Sequence, residues 1–344
     1  MSILTSPLTA LPLAPLLVLP FLSSWSTSLN LLFFSLTWTT IAATYSPLQL
    51  EAFGPFVVRV LLYLLPSALF LLFDLGVPSL AAQVKSQGEH ALPVRAAGGK
   101  KKVWRIVGWS VFNVALGLAL QAGLEWLVTD VLHFRSLLKI KGSKWSLNHL
   151  PNPWSMVQHA VLGLVARNVL QYYIHLYLLH SADGGILSTW HETWQHSVRI
   201  PFSFVAAYDH PVCYLLHRFL PLYLPAIAFR FHILTYIFLV AAFSLEELFI
   251  YSGYSVLPST IMLRGMARRT EAHFMSGAEG NFGPLGVLDW VHGTTLGKDV
   301  MDDLKAEMDK HDVQERAGKA IDDAGDAANG VAAKMKRRAR KRRG

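Results

Sequence analysis

Charge is scarce in this 344-residue chain: only 16% of residues are Asp, Glu, Lys or Arg, against 52% apolar. The mean hydropathy of +0.35 lies outside the usual range of a soluble domain of this size, so the composition points to lipid. The first 50 residues carry no charged side chain at all, Glu51 being the first. That stretch lacks the basic start of a cleaved signal peptide and is read as a retained membrane anchor. Cysteine is nearly absent. The single Cys213 excludes an intramolecular disulfide framework and every cysteine-rich zinc or iron–sulfur site. No internal repeat is found. The formal charge of +8 is equally thin, because residues 334–343 (KMKRRARKRR) alone hold eight basic groups, and without them the balance is zero.

Apolar runs are plentiful. A helical span needs about 20 residues, and suitable stretches occur near 9–25, 28–45, 56–73, 104–128, 156–179 and 219–250. The expected fold is an all-α polytopic membrane protein with four to six membrane helices. The first stretch contains Pro12, Pro15 and Pro20, so with the second it could form a hairpin in one leaflet. The last reads as a tilted span or a bent hairpin. Lys85, Arg95, Lys100, Lys101 and Lys102 make the loop before 104–128 basic, and Arg135, Lys139, Lys141 and Lys144 do the same after it. If 104–128 crosses once, one of these loops breaks the positive-inside rule; otherwise the segment is re-entrant. Residues 181–218 and 251–297 are less apolar and rich in His, Trp and Gly, and are placed as a cap outside the bilayer. Residues 298–333 read as a solvated, marginal helix leading into the basic tail. The expected division is an anchor or hairpin at 1–50, membrane helices with basic loops at 51–155, a histidine-bearing domain at 156–297 and a polar tail at 298–344.

Nine of the 14 histidines fall between 175 and 292. His175 and His180 lie in YYIHLYLLHS, and His191 and His196 in TWHETWQHS. A spacing of i to i+5 separates side chains by about 140° on a regular α-helix. A π-bulge or a frayed helix end would bring each pair together, and such bulges are frequent at functional sites. His210 follows in YDHPVC, His217 in LLHRFLP, His273 in EAHFMSG and His292 in WVHGTT. Neutral imidazoles converging from helix ends suit iron, zinc or copper without any cysteine. The competing reading is interfacial, hydrogen-bonded histidine beside Trp and Tyr, and it is the one adopted for His217, His232 and His292 taken singly. Glu246 and Glu247 are costly within the apolar stretch 219–250 unless paired, liganded or at its end.

The run from about 160 to 297 resembles the fatty acid hydroxylase/sterol desaturase superfamily. YYIHLYLLH matches its first histidine box in the HxxxxH form. WHETWQHSVRIPFSFVAAYDHP has the layout of the second box with its trailing His-Pro, and NFGPLGVLDWVHGT resembles the NYG and WDxxFGT signature that closes these domains. The boxes also depart from the pattern. Glu192 leads the second box, which reads ExxQH with His191 displaced by one. Ser276 and Gly277 follow His273 where two histidines are expected, and Tyr251 stands where many relatives carry a histidine.

The resemblance implies a di-iron oxidoreductase of lipid biosynthesis. In this family iron activates dioxygen to hydroxylate or desaturate a fatty acyl, sphingoid or sterol-like substrate, with electrons from a microsomal cytochrome or reductase. The implied metal residues are His175, His180, His191, His196, His210 and His273, helped by Glu192, Gln195, Asp209, Glu246, Glu247 and Glu271. The implied cap is cytosolic and His-rich. A metal-free relative that binds lipid or scaffolds partners is the alternative. A proton-relaying transporter would spread its polar groups along several spans, whereas here they cluster in the cap. The basic tail would attract an anionic leaflet, and Lys341 with Arg342 resembles a dibasic retrieval signal of the endoplasmic reticulum; nucleic-acid binding is not expected of a polytopic chain.

Overall fold

The computed structural model describes residues 25–140, 151, 153–257, 260–277 and 279–310. The expected stretch at 9–25 lies almost wholly outside these residues, as do Lys141, Lys144 and the basic tail. The chain divides into two units, Met1–Gly297 and Lys298–Gly344. The first contains α1 (Trp25–Thr44), α2 (Pro47–Gly76) and α3 (Lys100–Val131). Next come α4 (Pro153–Ile174), extended by a π turn at His175–Leu179, and α5 (Ile186–Trp194). α6 is built from Pro211–Tyr214, a π turn at Leu215–Phe219 and Leu220–Ala228. α7 (Ile233–Ile250), α8 (Gly265–Met275) and α9 (Val287–His292) complete the unit. The second unit contains α10 (Val300–Lys310), where Asp299 Oδ1 accepts from the Asp302 amide at 2.8 Å and caps the helix start. The described residues contain no strand, so the protein is all-α.

Three helices among the described residues are long and apolar enough to cross a membrane: α2, α3 and α7. The start of α2 is set by Ser46 and Gln49, whose side chains each bond the other's backbone amide, followed by Pro47 at the first helical position. α3 begins after Gly98 and Gly99, whose φ values of 79° and 139° turn the chain out of the preceding short helix. At 1.5 Å per residue its 32 residues extend about 48 Å. It is one long helix and not a re-entrant hairpin. The run 219–250, by contrast, is bent. Arg230 at φ 49° turns the chain, and the His232 ring then accepts from the Leu234 amide to start α7.

α2 packs on α3 and α7, and α4 packs on α6 and α7. Gly163 makes the α4–α7 approach possible, since a Cβ there would lie 2.6 Å from Leu239 and 2.9 Å from Phe231. Lys85, expected among solvated loop charges, is instead buried. Its ammonium pairs with Asp74 at 2.6 Å, donates to the Ser252 carbonyl at 2.8 Å and lies over the Tyr254 ring. Burial without such partners would cost several kcal/mol. The polar side chains of α3 point into the protein as well. Ser110 donates to the Phe204 carbonyl at 2.7 Å, and Asn113 donates to the carbonyls of Ala207 and Asp209. They fasten the 3₁₀ turn Ser203–Ala207 and the Asp209 backbone that follows it against a long apolar helix.

Candidate metal centre

The π turn at the end of α4 decides where its histidines point. The His180 amide bonds to the His175 carbonyl five residues back, at 2.9 Å, in place of the usual four. The wider turn returns His180 to the same face, with its Nε2 3.1 Å from Nε2 of His175. The second pair converges by the other expected route. α5 tightens into a 3₁₀ turn at Gln195–Ser197, and the rings of His191 and His196 lie 4.9 Å apart. His196 Nε2 is then 3.3 Å from His180 Nε2. His273, from α8, joins with ring centroids 4.8 Å from His175 and 4.9 Å from His196. One ring nitrogen from each of His175, His180, His196 and His273 falls within 4.8 Å of all the others.

The outer nitrogens are anchored. His175 Nδ1 donates to the Phe282 carbonyl at 2.7 Å, His273 Nδ1 to the Gly280 carbonyl at 2.6 Å, and His191 Nδ1 to Asp209 Oδ2 at 2.6 Å. Each bond puts the proton on Nδ1 and leaves the Nε2 lone pair free, the arrangement by which metal-binding histidines are oriented. The Nε2 atoms of His191 and His273 are buried with no protein partner. Burial, reinforced by neighbouring imidazoles, pushes His180 down to about 2 and holds His196 far below the usual histidine range. His273 is lowered to about 4, mainly by burial. These rings are therefore neutral near pH 7, the form that binds metal.

The donor set fits a transition metal. Nitrogens bound at about 2.0–2.1 Å to one ion stand roughly 2.9–3.4 Å apart at octahedral to tetrahedral angles, and the Nε2 separations of 3.1 and 3.3 Å lie in that interval. Without an ion, several neutral lone-pair donors face one another in a dry site, which is unfavourable.

The closing motif builds the shell behind these ligands. Asp289, fully buried, accepts from the amides of Phe282 and Gly283 at 2.7 and 2.9 Å and from the Thr294 hydroxyl at 2.8 Å. The Asn281 side chain bonds the amide and carbonyl of Leu296. The loop so held presents the Gly280 and Phe282 carbonyls to two histidines. Gly286 sits at φ 74°, and a Cβ there would meet the Arg269 guanidinium at 2.5 Å.

Five of the six histidines assigned from the sequence share this cluster, including the displaced His191. His210 does not join them: its ring stacks on Trp190 at 4.0 Å and its Nδ1 caps α6. The carboxylates and amide offered as auxiliary ligands have other partners. Glu247 pairs with Arg59 at 2.5 Å and Glu246 with Arg167 at 2.7 Å, so these two stabilise buried arginines within the helices. Asp209 holds His191, Glu192 accepts from Ser188, Glu271 accepts from Ser86, and Gln195 donates to Val205. The residue missed is His217. Its ring lies 4.3 Å from that of His175, and both its nitrogens are buried without a protein partner. The available signal was a His-Arg pair inside the otherwise apolar run 211–228. His232 and His292 are hydrogen-bonded outside the cluster, His232 capping α7 and His292 bonding the Tyr173 hydroxyl at 3.0 Å.

Comparison with known proteins agrees with this construction. Residues 160–294 match the family model for fatty acid hydroxylase. No solved structure matches the chain. Spanning the π turn, the second histidine pair and the closing loop, this match marks residues 160–294 as a fatty acid hydroxylase domain and supports the resemblance of this all-α membrane protein to the fatty acid hydroxylase/sterol desaturase superfamily.

Proposed function

We propose that the protein is an iron-dependent membrane oxidoreductase that uses dioxygen to hydroxylate or desaturate a lipid, its substrate being fatty acyl, sphingoid or sterol-like. The observation that carries this reading is the buried cluster of imidazoles in which three outer nitrogens are tied to carbonyls and a carboxylate, leaving Nε2 of His191 and His273 with no protein partner. His175, His180, His196 and His273 would hold the metal, with His191 and His217 beside them. Iron bound there would supply the activation of dioxygen needed to break an unactivated C–H bond.

The remaining work falls to the chain. The Phe282 and Gly280 carbonyls and Asp209 keep three protons on Nδ1, so the histidines stay in one tautomer and one orientation. The buried aromatic rings of Phe274 and Phe282 lie against His196 and His175 and exclude water from the cluster. α2, α3 and α7 supply apolar surface long enough for a bilayer, which favours an acyl or sterol substrate delivered from the membrane. A cytosolic position of the cap, residence in the endoplasmic reticulum and a microsomal cytochrome or reductase as electron donor complete the proposal. The basic tail with Lys341 and Arg342 supports the residence in the endoplasmic reticulum.

Metal analysis of the purified, detergent-solubilised protein tests the reading. Wild type is expected to retain iron and a His175→Ala/His180→Ala variant to lose it, with lipid oxidation following iron content. Folded wild type that takes up no iron would leave a metal-free relative that binds lipid or partners.

A further inference from the structure

Next to the histidine cluster lies a cavity of about 10 Å³, lined among others by Gln171, His175, His217, Arg218, Tyr251 and His273. That volume admits about one water-sized particle. The chemistry of its wall is unusual for so small a space. Arg218, on the π turn of α6, is 6% exposed, and its Nε and Nη1 have no protein partner. Only Nη2 is engaged, donating to the Tyr251 hydroxyl, with the guanidinium over the Tyr251 ring. The carboxylates nearest in charge to Arg218 are Glu247 and Glu246, and each is already paired with another arginine, Arg59 and Arg167. Three buried arginines thus face two carboxylates. A buried guanidinium with open donors, whose only nearby carboxylates are shared with other arginines, is costly, and a neutral partner such as Tyr251 satisfies one N–H without balancing the charge.

We propose that this cavity is an anion site in which Arg218 binds one monatomic or hydroxide-sized anion beside the histidines. The guanidinium supplies charge and directed N–H donors, two of them without a protein partner. The site deepens the proposed function by placing a small anion against the metal-binding histidines, yet it needs no metal to be observed.

Chloride is the probe. Metal-free protein in detergent is titrated with sodium chloride against sodium gluconate at constant ionic strength, and thermal unfolding is followed. Wild type is expected to show a saturable rise in Tm. Arg218→Gln is expected to abolish it, and Arg218→Lys to retain it with weaker affinity. If Arg218→Gln does not fold, the comparison rests on Arg218→Lys, whose chloride affinity must fall at least tenfold below wild type. A flat wild-type titration, meaning that water alone fills the cavity, overturns the proposal. So does an Arg218→Gln response equal to wild type, or unchanged affinity in Arg218→Lys. Iron uptake is measured separately on the same preparations, so a protein that binds chloride but no iron keeps this inference and loses the proposed function, and the reverse result does the opposite.

Discussion

His180 reaches His175 only through the extra residue of a π turn: the amide of one bonds the carbonyl of the other at 2.9 Å, and their Nε2 atoms end 3.1 Å apart. On an α-helix the same five-residue spacing would point the rings about 140° apart. Removing Leu178 would shorten the spacing to i, i+4, which an α-helix already places on one face. The deletion is therefore expected to retain metal, whereas inserting an alanine after Leu178 is expected to abolish binding. Iron content of the two purified variants decides the point, and equal retention in both would show that the turn does not set the site.

His217 is expected to contribute to the metal centre although no histidine box contains it. His217→Ala should lower iron occupancy at limiting iron, while His210→Ala and His292→Ala leave it unchanged, because the first of those rings stacks on Trp190 and the second bonds to Tyr173, outside the cluster. Metal titration of the three variants under one protocol checks the contrast.

The residues behind the ligands should matter nearly as much. Asp209→Asn removes the carboxylate that holds His191 Nδ1–H, and Asp289→Asn loosens the loop that presents the Phe282 carbonyl to His175. Each is expected to weaken metal affinity by about 10–100-fold. Competition with a chelator of known affinity measures it; wild-type affinity in both would leave these carboxylates without a role in the site.

The metal-free protein should lose stability on acidification. His273 is lowered to about 4 by burial, against an ordinary value near 6.5, and His180 and His196 are lowered further. The unfolded chain therefore binds more protons than the folded one below about pH 6.5, and stability falls as pH drops from there toward 4. The contribution of His273 alone is on the order of a few kcal/mol. Tm of metal-free protein measured from pH 7.5 to 4.5 should decline below 6.5, and iron should flatten the profile; a flat profile without metal would contradict the burial of these rings.

Arg59 and Glu247 meet inside the membrane helices at 2.5 Å. Breaking the pair from one side leaves a buried charge, so Arg59→Met or Glu247→Gln should each cost about 3–5 kcal/mol, and the double variant should recover much of that loss. Thermal unfolding in detergent with all four combinations measures the coupling, and additive losses would argue against it.

Much of this protein is legible from the sequence. Long uncharged runs require lipid, and the scarcity of cysteine leaves imidazole as the main soft donor. The order YYIHLYLLH, WHETWQHS, NFGPLG marks the domain because each motif is local: a turn, a helix end, a tied loop. What the sequence could not decide is which polar residues meet. Glu246 and Glu247 could be ligands, interfacial groups or ion-pair partners until α2 and α4 bring Arg59 and Arg167 against α7. His217 looks like any boundary histidine until the π turn of α6 swings it to within 4.3 Å of His175. Lys85 reads as a loop charge until Asp74 and Tyr254 enclose it. Periodicity and composition are properties of neighbours along the chain; ligand sets and buried ion pairs join residues far apart in it, and only the packing of the helices brings those into contact.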